Sequence, residues 1–247
     1  MEKPKDLFQS STRFSIGNEA FSSGLVFFSS FGDEQLQIKS NELLHADEIR
    51  MGKDFAADIR RRSFLHGRIA GKLAVNQLFP EVPSARLQIS TGILGEPYFN
   101  NFIYPYGVSI AHDDHWAAAL SFPLCVPMGI DMESMNEKNS TIIPSILSNQ
   151  EKEICNRAEN PLELMHILWT AKEAAGKAIG LGFRVPAEWY EIDLVETICQ
   201  TPYAIRSCRF KQLSVYTTFS VTLPQGILTI AFPAQQNLEQ AMIRLLQ

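Results

Sequence analysis

The sequence predicts a mixed α/β chain of the α+β kind, with a largely antiparallel second half. Three observations lead there. A long pattern of helical spacing stands in each half, over 54–79 and 160–180. Short apolar runs separated by hairpin-length turns crowd the second half. Pro123 and Pro127 interrupt the pattern between them, so the chain reads as two halves, 1–124 and 125–247, each of ordinary domain size.

The elements follow in order. Leu25–Phe31 has the apolar density of a strand. Asp54 to Phe79 keeps helical spacing and stops at Pro80. Leu87–Ser90 reads as a short strand, and 92–105 as loop, since Gly, Pro and Asn crowd it. Val108–Ala111 and Trp116–Phe122 form a hairpin around His112-Asp113-Asp114-His115, and Met128–Met132 resumes as a strand. The second long helix is bracketed by its ends. Asn160 can cap it, Pro161 suits the first helical position and Glu163 stands three after the cap. Leu164, Leu168, Ala171, Ala175 and Ile179 recur at steps of three or four, and Gly180 and Gly182 suit the end. Trp189–Val195, Ala204–Phe210, Ser214–Val221 and Ile227–Phe232 read as strands, and Asn237–Leu246 as a short closing helix. No internal sequence repeat is evident.

Composition narrows the class. The 247 residues carry 22 Lys and Arg against 27 Asp and Glu, a net charge of −5. An acidic chain is a poor partner for nucleic acid or an anionic membrane. No apolar run approaches the ~18 residues of a membrane span, and the first residues lack the apolar stretch of a signal peptide. Four cysteines without a CxxC pair argue against a cystine scaffold and for a reducing cytoplasm.

Four constellations could carry chemistry. On a strand, Asp131 and Glu133 of Gly129-Ile130-Asp131-Met132-Glu133 share a face. Two carboxylates so placed suit Mg²⁺ or Mn²⁺, or they belong to a solvated edge. Glu173 and Lys177 of the stretch Trp169–Lys177 share a helix face, either as an ion pair at the surface or as a site that the small Ala174, Ala175 and Gly176 let something approach. Arg61, Arg68 and Lys72 fall on one helix face, as a phosphate-binding stripe or a solvated one. His112, at the hairpin tip, could meet an anionic ligand or simply sit exposed. His112 and His115 lack the helical spacing of a zinc pair.

Order and spacing together are more specific than any one of these. Gly95-Glu96-Pro97, Ser109-Ile110-Ala111-His112, Gly129-Ile130-Asp131-Met132-Glu133 and Trp169-Thr170-Ala171-Lys172-Glu173 ending in Lys177 occur in that sequence, with Phe64-Leu65-His66-Gly67-Arg68 upstream. The set resembles the Sfp-type 4'-phosphopantetheinyl transferase family, particularly its siderophore-synthetase-activating branch. The departures are Glu96 where that family often has lysine, Ala111 and Asp113 where serines are usual, and Gly176 in place of a bulky residue.

The resemblance implies two similar α/β halves related by a pseudo-twofold axis, with coenzyme A between them. The first half would contact the nucleotide, and the second would carry the metal-binding and catalytic motifs. It implies transfer of the phosphopantetheine arm of coenzyme A, the co-substrate, to a serine of an apo acyl or peptidyl carrier protein. The other product is adenosine 3',5'-bisphosphate. Asp131, Glu133 and Glu173 would ligate Mg²⁺, Glu173 would act as general base, and Lys177 would stabilise the pyrophosphate. Arg68 and His112 would hold phosphates of the nucleotide end, the 3'-phosphate foremost, Ser109 would also contact coenzyme A, and the loop with Thr91, Gly95 and Pro97 would line adenine and ribose. A monomer acting in the cytoplasm, on fatty-acid, polyketide or peptide-synthesis carriers, is expected. The rival readings are a Mg²⁺-dependent phosphohydrolase acting on coenzyme A and a non-catalytic coenzyme A-binding protein.

Overall fold

A computed structural model describes residues 7–135, 141–199, 203–224 and 226–247. The chain divides into two compact units, Met1–Pro127 and Met128–Gln247, where the expected division fell after Leu124. Both are mixed α/β, with helices packed on antiparallel sheets, the predicted class.

In the first unit β1 (Phe8–Ile16) and β2 (Glu19–Ser29) lead to α1 (Asp33–Leu43), α2 (Ala46–Lys53) and α3 (Asp58–Asn76). The pair β3 (Ile89–Thr91) and β4 (Pro97–Phe99) follows, and then β5 (Tyr106–His112) and β6 (Trp116–Pro123). The sheet order is β1-β2-β6-β5, antiparallel throughout, and α3 packs on it. Val26, Phe28, Leu65, Ile69, Ala70, Ala74, Val108 and Ala119 form the core under that helix. Asp54 caps the end of α2 instead of starting α3, and the expected loop over 92–105 contains β4. Pro97 is tolerated there because it opens a short edge strand.

The second unit runs β7 (Gly129–Glu133), α4 (Asn149–Asn156), α5 (Pro161–Ala178), β8 (Ile192–Cys199), β9 (Ile205–Phe210), β10 (Tyr216–Leu223), β11 (Gly226–Pro233) and α6 (Gln236–Leu246). Its sheet is β7-β11-β10-β9-β8, also antiparallel. Asn160 accepts from the Glu163 amide at 3.2 Å and starts α5, as its side chain suggested. The strand expected from Trp189 begins at Ile192, because a 3₁₀ turn over Ala187–Tyr190 precedes it. Among the described residues no helix is long and apolar enough to cross a membrane. The four cysteines are free thiols.

The units repeat one construction that the sequence did not display. In each, a two-turn helix opens with a capping box whose glutamate is buried: Glu48 with His45, and Glu151 with Ser148. Glu48 accepts from Lys72 Nζ at 2.7 Å and from the Ile89 amide at 2.9 Å. Glu151 accepts from Lys172 Nζ at 2.8 Å and from the Ile192 amide at 2.9 Å. Six residues before each lysine stands a buried histidine, His66 or His166. The long helix of each unit presses on a glycine. A Cβ at Gly24 would overlap the Ala74 carbonyl oxygen, and one at Gly129 the Ala174 carbonyl oxygen. Strands β2-β6-β5 therefore match β7-β11-β10.

Candidate functional site

The second unit gathers four of the expected residues. Alternation along β7 puts Asp131 and Glu133 on one face. Contact between α5 and β7, permitted by Gly129, brings Glu173 and Lys177 to that face. Lys177 Nζ donates to Asp131 Oδ1 at 2.8 Å. Asp131 is 7% exposed, and its Oδ2 is buried without a hydrogen-bond partner among the described residues. Burial, then the Asp131 charge, pushes the Glu173 carboxyl up to about 7; Lys177 opposes this and Glu133 adds to it. Trp169 Nε1 points at Glu133 Oε1, 3.4 Å away. The Trp169 ring stacks on Phe183 at 5.4 Å, and Phe183 meets Tyr190 edge-on at 5.5 Å.

A carboxylate set with a buried, unsatisfied oxygen has the donor chemistry of a hard divalent cation. Among the described residues no three His, Cys, Asp or Glu side chains already stand in ligand geometry. Lys177, expected on the pyrophosphate, holds one of the Asp131 oxygens.

The first unit has a cavity of about 340 Å³ beside α3 and β5, lined by Phe55, Arg60, Phe64, Arg68, Ile110 and His112 among others. Arg68 is 7% exposed and lies 4.7 Å over the Phe64 ring. Its Nη2 donates to Thr91 Oγ1 at 2.9 Å, while Nε is buried without a hydrogen-bond partner among the described residues. Burial lowers its pKa, and the Glu48 carboxylate works against that. Such a guanidinium suits phosphate.

Arg68, Thr91 and His112 thus lie together. Ser109 does not join them, because strand alternation turns it to the other face of β5 from His112. Gly95 lies in the turn that joins β3 to β4, and Pro97 opens β4 opposite Thr91. Gly95 takes φ 91°, and Glu96 folds its carboxylate onto the Leu94 amide at 3.0 Å. The expected basic stripe dissolves. Arg61 pairs with Asp58, and Lys72 is sealed against Glu48, Ser84 and Leu87. Sequence reading passed over Trp169 as a partner of Glu133 and the aromatic wall of Phe55 and Phe64. All three aromatics were visible, but nothing in the spacing said what they would touch.

Comparison with known proteins agrees in part. Residues 127–226 match the model of the 4'-phosphopantetheinyl transferase superfamily. That segment holds Asp131, Glu133, Glu173 and Lys177. A solved structure, a holo-(acyl-carrier-protein) synthase from Bacillus anthracis str. Ames in complex with CoA (3',5'-ADP), is similar at 20% identity. The match covers 40% of this chain and 92% of that one, with a TM-score of 0.36. No match was found among curated proteins.

Proposed function

We propose that this protein is an Sfp-type enzyme that transfers the 4'-phosphopantetheine arm of coenzyme A to a serine hydroxyl of an apo acyl or peptidyl carrier protein. The observation that carries this reading is the convergence of Asp131, Glu133, Glu173 and Lys177 from β7 and α5, inside the segment that matches the transferase superfamily. Its motifs resemble the siderophore-synthetase-activating branch in particular, and that branch is part of the proposal. Free thiols fit a reducing compartment, and a monomer acting in the cytoplasm is part of the proposal.

The serine oxygen attacks the phosphorus that carries the pantetheine arm. A new P–O bond forms, the bond to the bridging pyrophosphate oxygen breaks, and adenosine 3',5'-bisphosphate leaves with that oxygen. Such a step needs alignment and charge neutralisation. Asp131, Glu133 and Glu173 would hold Mg²⁺, or Mn²⁺, which supplies positive charge to the pyrophosphate oxygens when bound. Glu173 is the base for the serine proton, directly or through one water. Lys177 places its ammonium beside the leaving phosphate. Arg68 and His112 bind phosphate at the nucleotide end, and Thr91 orients Arg68 through its hydroxyl.

Intact-protein mass spectrometry tests the reading. An apo carrier protein incubated with this protein and coenzyme A should gain the mass of phosphopantetheine with Mg²⁺ and not with EDTA. Cleavage of coenzyme A without that gain would show a phosphohydrolase instead. Binding without either reaction, across several carriers, would leave a coenzyme A-binding protein.

A further inference from the structure

We propose that Glu48 and Glu151 are positioning residues. Glu48 sets Arg68 and so the affinity for coenzyme A, whereas Glu151 sets the Glu133–Glu173 pair and so the rate of transfer. This rests on the proposed function for its reaction and on the repeated geometry for its residues.

In the first unit one carboxylate fixes both ends of the hydrogen bond that holds Arg68. Glu48 Oε2 takes Lys72, one helical turn beyond Arg68 on the same face of α3. Glu48 Oε1 takes the amide of Ile89, two residues before Thr91 on β3. Arg68 Nη2 and Thr91 Oγ1 then meet at 2.9 Å. The rotation of α3 about its axis and the height of β3 are therefore tied to a single group. A slip of one residue around the helix would swing Arg68 by about 100°.

In the second unit Glu151 does the same for different side chains. Its Oε2 takes Lys172, the neighbour of Glu173, and its Oε1 takes the amide of Ile192. Two residues before Ile192, Tyr190 donates to the Gly182 carbonyl and sets its ring against Phe183. Phe183 stacks on Trp169, whose indole faces Glu133. Two of the three carboxylates on the proposed metal, Glu133 and Glu173, are thus referred to one buried group.

Stability alone does not account for these pairs. A buried ion pair replaced by well-packed apolar residues is often neutral or stabilising. Apolar contact, however, lacks the direction that three hydrogen bonds impose. The capping glutamates bond identically in both units, yet the side chains they govern differ.

The test is a split between kcat and KM in Lys72→Met and Lys172→Met, read on an apo carrier protein. Calorimetric titration with coenzyme A and thermal melting accompany it. The Lys72 variant should raise KM and Kd for coenzyme A about fivefold or more, with kcat within about twofold. The Lys172 variant should lower kcat about tenfold or more, with KM and Kd within about twofold. Wild-type constants in both, or parallel losses that track the melting temperature, overturn the proposal. Should a Met variant fail to fold, Lys72→Arg and Lys172→Arg keep the charge, and each must shift the same constant as its Met counterpart. If wild-type protein binds coenzyme A but transfers nothing, the functional reading fails. The titrations still decide for Glu48: the Lys72 variant must weaken binding and the Lys172 variant must not.

Discussion

Lys177 Nζ lies 2.8 Å from Asp131 Oδ1, which ties the last turn of α5 to the middle of β7. The pair neutralises one carboxylate in a place where two more crowd it. It also leaves Asp131 with a buried oxygen that no described group satisfies. A site so arranged gains on receiving a cation, since the orphan oxygen and the mutual repulsion of the acids are relieved together.

Asp131→Asn should therefore abolish transfer, with a fall of at least about 10³ in turnover that excess Mg²⁺ hardly restores. Initial rates at saturating coenzyme A measure it. A rate near wild type would remove Asp131 from the site.

Glu173→Gln keeps the shape and removes the proposed base. Turnover should drop by about 10² to 10⁴ while KM for coenzyme A stays within a few-fold. An unchanged turnover would exclude the role.

Arg68→Ala should act on binding. Losing a hydrogen bond from a charged group weakens affinity by about 1.5–3 kcal/mol, or roughly 10- to 150-fold. Titration with coenzyme A should show this, with adenosine 3',5'-bisphosphate weakened to a similar degree.

Gly129→Ala should cost about 1–3 kcal/mol in urea unfolding, because its methyl meets backbone that cannot step aside. Gly24→Ala should behave alike in the first unit, and loss of turnover beyond the unfolded fraction should follow only the Gly129 change.

His66 governs a pH dependence of stability. Its Nε2 accepts from the Phe31 amide and its Nδ1 faces the Arg62 carbonyl, both at 2.8 Å, so the ring is neutral. Burial lowers its pKa from 6.5 to about 4. Below 6.5 the unfolded chain takes a proton that the folded one refuses. Stability is therefore complete above about 6.5 and declines as pH falls toward 4, by up to about 3 kcal/mol from this residue. Urea midpoints between pH 4 and 7 should show the slope, and His66→Gln should flatten it.

What could be read beforehand followed local signals. Asn160 and Pro161 announce α5, and alternation in 129–133 announces a face with two acids. The helices α1, α2 and α4 went unseen because each is short or buries few side chains, Leu36 and Ser40 alone in α1. Trp189 and Tyr190 suggested strand by their aromatic character, whereas Pro186 starts a 3₁₀ turn there. Lys72 shared a helix face with Arg68, and angle alone says nothing of what covers it. The repeat stayed hidden because Glu48 and Glu151, or Lys72 and Lys172, keep their partners while their sequence neighbours differ. Where β7 and α5 carry Asp131, Glu133, Glu173 and Lys177, the matching places on β2, on α3 and at its C-cap hold Val26, Phe28, Leu73 and Gln77.

The crowding on β7 and α5 makes the second unit weaker than its frame allows. Glu173→Gln, which relieves that repulsion, should melt above the parent while transferring little. A screen for heat resistance alone would collect such dead, sturdy variants first, so any effort to toughen this protein must select for turnover at the same time.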